Sequence, residues 1–292
     1  MASDLEIPRC AGADPNPRKP SFTPPPGACD CHAHILWPQS LYPYTPNRSY
    51  TPPEASLSSY TKMLDTLGLD RAVIVHPSVY GTDNRATLDA IEKGGPNFRG
   101  VAVVDADIEF AELERMHQGG IRGARINLLF KGGIGMSEVQ KLTQKIAPLG
   151  WHLQLLIDVS EFDELDTLED LPVDIVFDHM GHMPTSKGLD HPGFVQMLKM
   201  LERGHAWVKL SGAYRITSSK EFPYADTAPF ARELIKTNPE RLVWATDWPH
   251  PSINVSMPND GDLLSLLADW APDTETRNRI LVDNPARLYD FS

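Results

Sequence analysis

No run in the 292 residues approaches the roughly 18 consecutive apolar positions that a membrane-spanning helix needs, so a soluble chain is expected. Met1 to Cys10 hold Asp4, Glu6 and Arg9 and no apolar stretch. This start does not read as a secretory signal, and a cytoplasmic setting is expected. Cysteine is scarce: there are three, and Cys29 and Cys31 stand too close together to brace a fold as a local pair. With Cys10 they read as free thiols in a reducing compartment. Basic charge is in deficit, with 27 Lys and Arg against 39 Asp and Glu, a formal net charge of -12. That balance argues against a nucleic acid or an anionic membrane as partner, while leaving room for a local basic pocket that takes an acidic small molecule. The chain also lacks a G-x-S-x-G elbow, a P-loop, a G-x-G-x-x-G after a strand and any C-x-x-C pair. Serine-hydrolase, NTPase, dinucleotide-binding and zinc-ribbon chemistry are therefore without their signatures.

What is present is the balance of a globular protein, 41% hydrophobic and 23% charged. Residues 1–27 carry Pro8, Pro15, Pro17, Pro20 and Pro24-Pro25-Pro26, a density that blocks regular structure and predicts an extended arm. Over 28–292, short runs rich in Val, Ile and Leu alternate with longer segments of helical period, the pattern of βαβ units. Eight runs are found, at 28–35, 71–78, 99–105, 121–129, 152–158, 174–180, 206–212 and 241–248. Helices are expected between them at 54–67, 83–92, 109–118, 137–149, 161–170, 193–203, 225–237 and 260–270, and a terminal one at 274–282 that ends before Asn284-Pro285. Eight strand-plus-helix repeats predict a single-domain α/β fold of the (β/α)8 TIM-barrel type, with an open α/β sheet as the competing architecture.

In such a barrel the working residues stand at the C-terminal ends of the strands and in the loops that follow. The first run ends in Asp30-Cys31-His32-Ala33-His34, where alternation would turn Asp30, His32 and His34 one way and Cys29 and Cys31 the other. The sixth ends in Asp178-His179 and the eighth in Thr246-Asp247, so His32, His34, His179 and Asp247 can meet at one barrel mouth. Three imidazoles and a carboxylate suit a divalent ion such as Zn²⁺ or Mn²⁺. Equally, they form a metal-free cage in which the imidazoles polarise a carbonyl and the carboxylate takes a proton. His250, three positions on, reads as a supporting residue. Arg125 lies within the fourth run, where a charge is costly unless it meets an internal aspartate or an anionic ligand. Lys131 and Arg215 sit in loops after the fourth and seventh runs, and Tyr50 and Ser78 offer hydroxyls that can orient an oxygen-rich ligand.

These residues belong to a wider pattern. The stretch from Pro24 to His34, together with Gly81-Thr82-Asp83-Asn84, Arg122-Gly123-Ala124-Arg125, Asp178-His179-Met180-Gly181, Thr246-Asp247-Trp248-Pro249-His250 and Asn284-Pro285-Ala286-Arg287-Leu288-Tyr289, resembles the amidohydrolase superfamily. Within it the motifs are similar to the branch of 2-pyrone-4,6-dicarboxylate lactonase, 4-sulfomuconolactone hydrolase and D-galactarolactone isomerase. The resemblance runs from about residue 22 to the end.

It implies that His32, His34 and His179 polarise a lactone carbonyl, directly or through a metal, and that Asp247 is the base that activates water. Tyr50, Ser78, Arg125 and Arg215 would hold the acidic groups of the substrate. Lys131 stands roughly where the dicarboxylate lactonase pattern has another arginine, and Leu155, Leu156 and Ile157 replace a tyrosine of that pattern. The isomerase pattern alters the His-x-His pair and the strand-eight aspartate, both intact here, which favours hydrolysis. The branch divides on metal, and the strand-five histidine of the metal-bearing members is absent. The resemblance thus implies the opening of a small anionic lactone, dicarboxylate or sulfonated, by activated water. An isomerase of a sugar-acid lactone and a non-catalytic ligand-binding barrel are the alternatives.

Overall fold

The computed structural model describes residues 7–127, 136–162 and 165–291. Eight parallel strands form one sheet in chain order: β1 (Cys29–Ala33), β2 (Arg71–Val75), β3 (Phe98–Ala102), β4 (Ile121–Asn127), β5 (His152–Leu156), β6 (Ile175–Phe177), β7 (Ala206–Leu210) and β8 (Leu242–Trp244). Each falls on one of the eight apolar runs. A bridge between Ala33 and Trp248 closes the sheet, with the His34 N–H donating to the Trp248 carbonyl at 2.8 Å and the Asp247 N–H to the His32 carbonyl at 2.9 Å. The result is a (β/α)8 barrel.

The α-helices among the described residues are α1 (Leu57–Leu67), α2 (Arg85–Gly94), α3 (Phe110–Gln118), α4 (Met136–Ile146), α5 (Pro192–Glu202), α6 (Ala213–Ile216), α7 (Ala228–Thr237), α8 (Asp260–Trp270), α9 (Thr274–Asn278) and α10 (Asn284–Tyr289). Helix α1 shows why they wrap the sheet. Ser56 caps it by accepting from the Ser59 N–H, Gly68 ends it in the left-handed conformation, and Tyr60, Met63, Leu64 and Leu67 form one buried stripe. No helix among the described residues is long and apolar enough to cross a membrane. Residues 7–27 hold no helix and a single isolated bridge, Arg9 to Thr51.

Two expected helices differ. Across 161–170, residues 161–162 are not helical and Leu165–Asp170 form a 3-10 run. That stretch holds Glu161, Asp163, Glu164, Asp166, Glu169 and Asp170 with no basic residue, so like charges would stack three and four apart along an α-helix. The terminal helix does not stop before Asn284-Pro285 either. A π-turn, Arg279–Asp283, carries it into α10, which holds Pro285 in its first turn.

The barrel interior is apolar below and polar above. Cys29, Cys31, Val73, Val101, Val176 and Trp207 pack the lower part, and Tyr289 and Phe291 plug it from beneath. Higher up, alternation on β5, β6 and β7 turns Gln154, Asp178 and Lys209 inward and fully buried. The simple alternation expected for β1 fails. A register shift between Asp30 and Ala33 breaks it, and Asp30 turns outward. There it accepts from the Tyr60 hydroxyl at 2.9 Å, the Thr246 hydroxyl at 2.5 Å and the Thr246 N–H at 2.9 Å. Burial pushes the Asp30 carboxyl up to about 6 against these hydrogen bonds. His32 then faces inward directly after Cys31.

Candidate active site

The ends of β1, β6 and β8 converge on one carboxylate. Asp247 Oδ1 lies 3.7 Å from the Nε2 of each of His32, His34 and His179, and all four residues are buried. Its second oxygen, Oδ2, accepts from the Tyr214 hydroxyl and from Arg215 Nε, both at 2.6 Å. Burial alone would raise the Asp247 carboxyl, but the Arg215 guanidinium and the facing imidazoles hold it well below the usual carboxylate range. Asp247 is therefore ionised, with one oxygen anchored and the other aimed at the histidines.

The hydrogen bonds behind the imidazoles decide what their front atoms offer. His34 Nδ1 stands 2.8 Å from the Val75 carbonyl, which can only accept, so Nδ1 carries the proton and Nε2 presents a lone pair. That lone pair faces His32 Nε2 at 3.3 Å. His32 Nδ1 is 3.2 Å from Asp178 Oδ1 and 3.3 Å from Lys209 Nζ, while His179 Nδ1 meets the Ser211 hydroxyl at 2.8 Å. Burial drives His32 down to about 3 and His179 well below the ordinary range, although Asp178 and Asp247 pull the other way. Both rings are neutral. His32, His179 and Asp247 offer ligand atoms within 4.8 Å of one another. Two imidazole nitrogens converging beside a carboxylate oxygen is an arrangement that a cation between them relieves, so this donor set fits a divalent ion.

The backbone is held in uncommon conformations where these side chains leave it. His179, Asp247 and His250 adopt left-handed φ of 49°, 68° and 60°. Gly212, at φ 65°, lets the chain after β7 close on His179. A Cβ there would come within 2.8 Å of the His179 Cβ.

A cavity of about 250 Å³ opens above the cluster, and Tyr50, Ser78, Arg125 and Arg215 line it with His34, His179 and Asp247. Ser78 Oγ reaches the Tyr50 hydroxyl at 3.5 Å. Each arginine already has a carboxylate: Arg125 Nε donates to Asp178 Oδ2 at 3.2 Å, and Arg215 to Asp247. For Arg125 the structure supplies the internal aspartate, while the side chain keeps its place on the cavity wall. Lys131 lies outside the described residues. His250 is set back from the cavity floor, between the Tyr214 hydroxyl at 2.9 Å and Asp260 Oδ1 at 3.1 Å.

A family model for amidohydrolases matches residues 29–291. The chain belongs to the amidohydrolase family. This amidohydrolase is 38% identical to the 2-pyrone-4,6-dicarboxylate hydrolase of Comamonas testosteroni over 285 residues, 94% of this chain and 93% of the relative. It is 37% identical to the 4-sulfomuconolactone hydrolase of Hydrogenophaga intermedia, covering 97% of this chain and 95% of the other. Among solved structures, one from Agrobacterium tumefaciens superposes with a TM-score of 0.85 at 32% identity, covering 94% and 99% of the two chains.

Beneath the histidines of this amidohydrolase lies a charged layer that sequence reasoning passed over. Lys209 Nζ donates to Gln154 Oε1 at 2.7 Å and stands 3.3 Å from Asp178 Oδ1, while Gln154 Nε2 donates to Asp178 Oδ2 at 3.0 Å. Burial pulls the Lys209 ammonium below its ordinary value, with Asp178 opposing. Its signal was present. In the run 206–212, Trp207, Lys209 and Ser211 alternate on the inward face, and a lysine there demands a buried partner. Tyr214, the second anchor of Asp247, had no such signal, because it stands on α6, a single four-residue turn too short to show a helical period, whose direction only the fold sets.

Proposed function

We propose that this amidohydrolase opens a small lactone bearing anionic groups by attack of water on the ring carbonyl. One observation carries the reading: an ionised Asp247, anchored through Oδ2, presents Oδ1 to three buried imidazoles, two of which, His34 and His179, line with it a cavity walled by Arg125 and Arg215. The two relatives above support it, since their names specify hydrolysis of ring lactones that carry carboxylate or sulfonate.

In this reading Ser211 donates to His179 Nδ1, His179 Nε2–H donates to the lactone carbonyl oxygen at the histidine cluster, and water enters between the carbonyl carbon and Asp247 Oδ1. Asp247 takes the water proton as the new C–O bond forms. It returns that proton to the ring oxygen as the ring C–O bond breaks, leaving a carboxylic acid and an alcohol. Arg125, Arg215, Tyr50 and Ser78 hold the acidic substituents, with Lys131 as a further cation. His32, His34, His179 and Asp247 would hold one divalent ion, Zn²⁺ or Mn²⁺, which when bound supplies Lewis-acid chemistry.

A panel of lactones in lightly buffered water tests the activity. Acid release from anionic lactones is expected; a product of unchanged mass would replace hydrolysis by isomerisation, and ligand binding with no product would leave a binding protein. Elemental analysis of protein purified without a metal-affinity step tests the ion. About one ion per chain is expected, with activity lost to chelator and restored by Zn²⁺ or Mn²⁺. Full activity at well below that stoichiometry would remove the metal and leave the lactonase.

A further inference from the structure

The inner cavity is only part of the opening. It shares Tyr50, His182, Arg215 and Ser252 with a second cavity of about 450 Å³ on its outer side. One wall of this outer cavity is Pro8 to Ala11 of the N-terminal arm, and another is Ile253, Val255 and Met257 from the loop that follows Asp247.

The arm is fixed in place by its backbone. The Thr51 N–H donates to the Pro8 carbonyl at 2.7 Å, the Cys10 N–H to the Thr51 carbonyl at 3.0 Å, and the Ser252 N–H to Cys10 Sγ at 3.3 Å. Further along, the Arg18 N–H donates to Asn259 Oδ1 at 2.9 Å and the Arg18 guanidinium pairs with Asp262. A Cβ on Gly261 would stand 1.9 Å from the Arg18 carbonyl, so the arm lies directly on the first turn of α8. The arm is thus bonded to the loop that carries Asp247 and to the helix after it.

Charge singles out one residue of this arm. In a chain of net charge -12, the described residues that line the outer cavity include two arginines, Arg9 and Arg215, and no Asp or Glu. Arg215 and Arg125 each already pair with one carboxylate of this chain, Asp247 and Asp178. Among the described residues no carboxylate pairs with Arg9, which is exposed. A cation with no carboxylate partner among the described residues, at the mouth of this cavity, is placed to take a ligand carboxylate in a forked hydrogen bond.

We infer that residues 8–11 form the outer half of the substrate site, and that Arg9 binds a second anionic group carried on an apolar tether across Ile253, Val255 and Met257. This rests on the lactonase reading and narrows its substrate to lactones with an extended, acid-terminated side chain.

Two matched lactones test it, 5-oxotetrahydrofuran-2-acetate and 5-oxotetrahydrofuran-2-hexanoate, each beside its methyl ester. Arg9→Met is expected to raise KM for the hexanoate roughly fivefold more than for the acetate, with kcat held and with the esters showing no such difference. Arg9→Lys, which keeps the charge, should restore part of the loss. A second readout does not need turnover. Cys29 and Cys31 are buried, so Cys10 is the thiol that iodoacetamide reaches first. The ring ether tetrahydrofuran-2-hexanoate, which cannot be hydrolysed, should slow Cys10 alkylation in the wild type and not in Arg9→Met. Equal KM changes across the pair, or Cys10 alkylation unaltered by saturating ether, would overturn the inference and leave the lactonase reading standing. Acid release from neither lactone would sink the lactonase reading instead, with Cys10 protection still deciding whether the outer cavity binds the tethered anion.

Discussion

Asp247 combines properties that sequence alone assigns to different residues: it faces the histidines through Oδ1 and is braced by Tyr214 and Arg215 through Oδ2. Asp247→Asn keeps the shape and removes the proton acceptor. A fall in kcat of at least about 10² is expected, the usual worth of a positioned general base, and near-wild-type turnover would make the residue structural. The arginines separate by their partners. Arg125→Met should raise KM for acidic lactones by about tenfold while sparing neutral ones, since the carboxylate it leaves, Asp178, still has Lys209. Arg215→Met also removes the charged donor to Asp247 Oδ2 and leaves only Tyr214 there, so kcat should fall for both classes. Equal behaviour of the two variants on acidic and neutral lactones would mean that neither arginine recognises the anion. The His-x-His pair, His179 and Asp247 were legible as a set because each ends a strand of one barrel. The pairing of Arg215 with Asp247 was not: expected in a loop, Arg215 stands on α6, a single turn too short to write a period into the sequence.

At the scale of elements, strand ends do the positioning and glycines make it possible. Gly212→Ala would force a side chain into left-handed backbone and against the His179 Cβ at 2.8 Å. A loss of about 1–3 kcal/mol in urea unfolding is expected, together with a drop in kcat if the proposed function holds, because the displaced element carries His179, one of the imidazoles proposed to face the lactone carbonyl. Unchanged unfolding and turnover would show that the β7 loop has room to move. All eight strands could be read from apolar runs, since a parallel strand buried on both faces is nearly continuously hydrophobic. The outward turn of Asp30 could not. A bulge costs one residue of register, and nothing in the five letters of β1 marks where that residue is spent.

The whole molecule stores its acid sensitivity in buried imidazoles. Burial holds His32 and His152 down to about 3 and His76 and His182 to about 4, well under the unfolded value near 6.5. Below that value the unfolded chain takes up protons that the folded chain refuses, so stability is full above about pH 6.5 and drains away as pH falls toward 4 and 3. Asp30, raised to about 6, works in the opposite sense, but one group faces four. The urea midpoint should therefore drop steeply between pH 7 and about pH 5. His152→Leu should flatten the drop, because neither ring nitrogen of His152 finds a hydrogen-bond partner among the described residues. A midpoint that stays level across that range would mean the imidazoles are solvated.

The sequence by itself determined the barrel, because burial on two faces writes strands as apolar runs and amphipathic helices as stripes between them, and both are local patterns. It also determined which residue types stand at the strand ends. Only the tertiary structure decided what each of them touches. The proton on His34 Nδ1 is set by a carbonyl of β2, the charge of Asp247 by an arginine 32 positions earlier, and the wall of the outer cavity by an arm that returns from the start of the chain. Hydrogen bonds and ion pairs act over a few ångströms of space regardless of separation along the chain, so no window of sequence contains them.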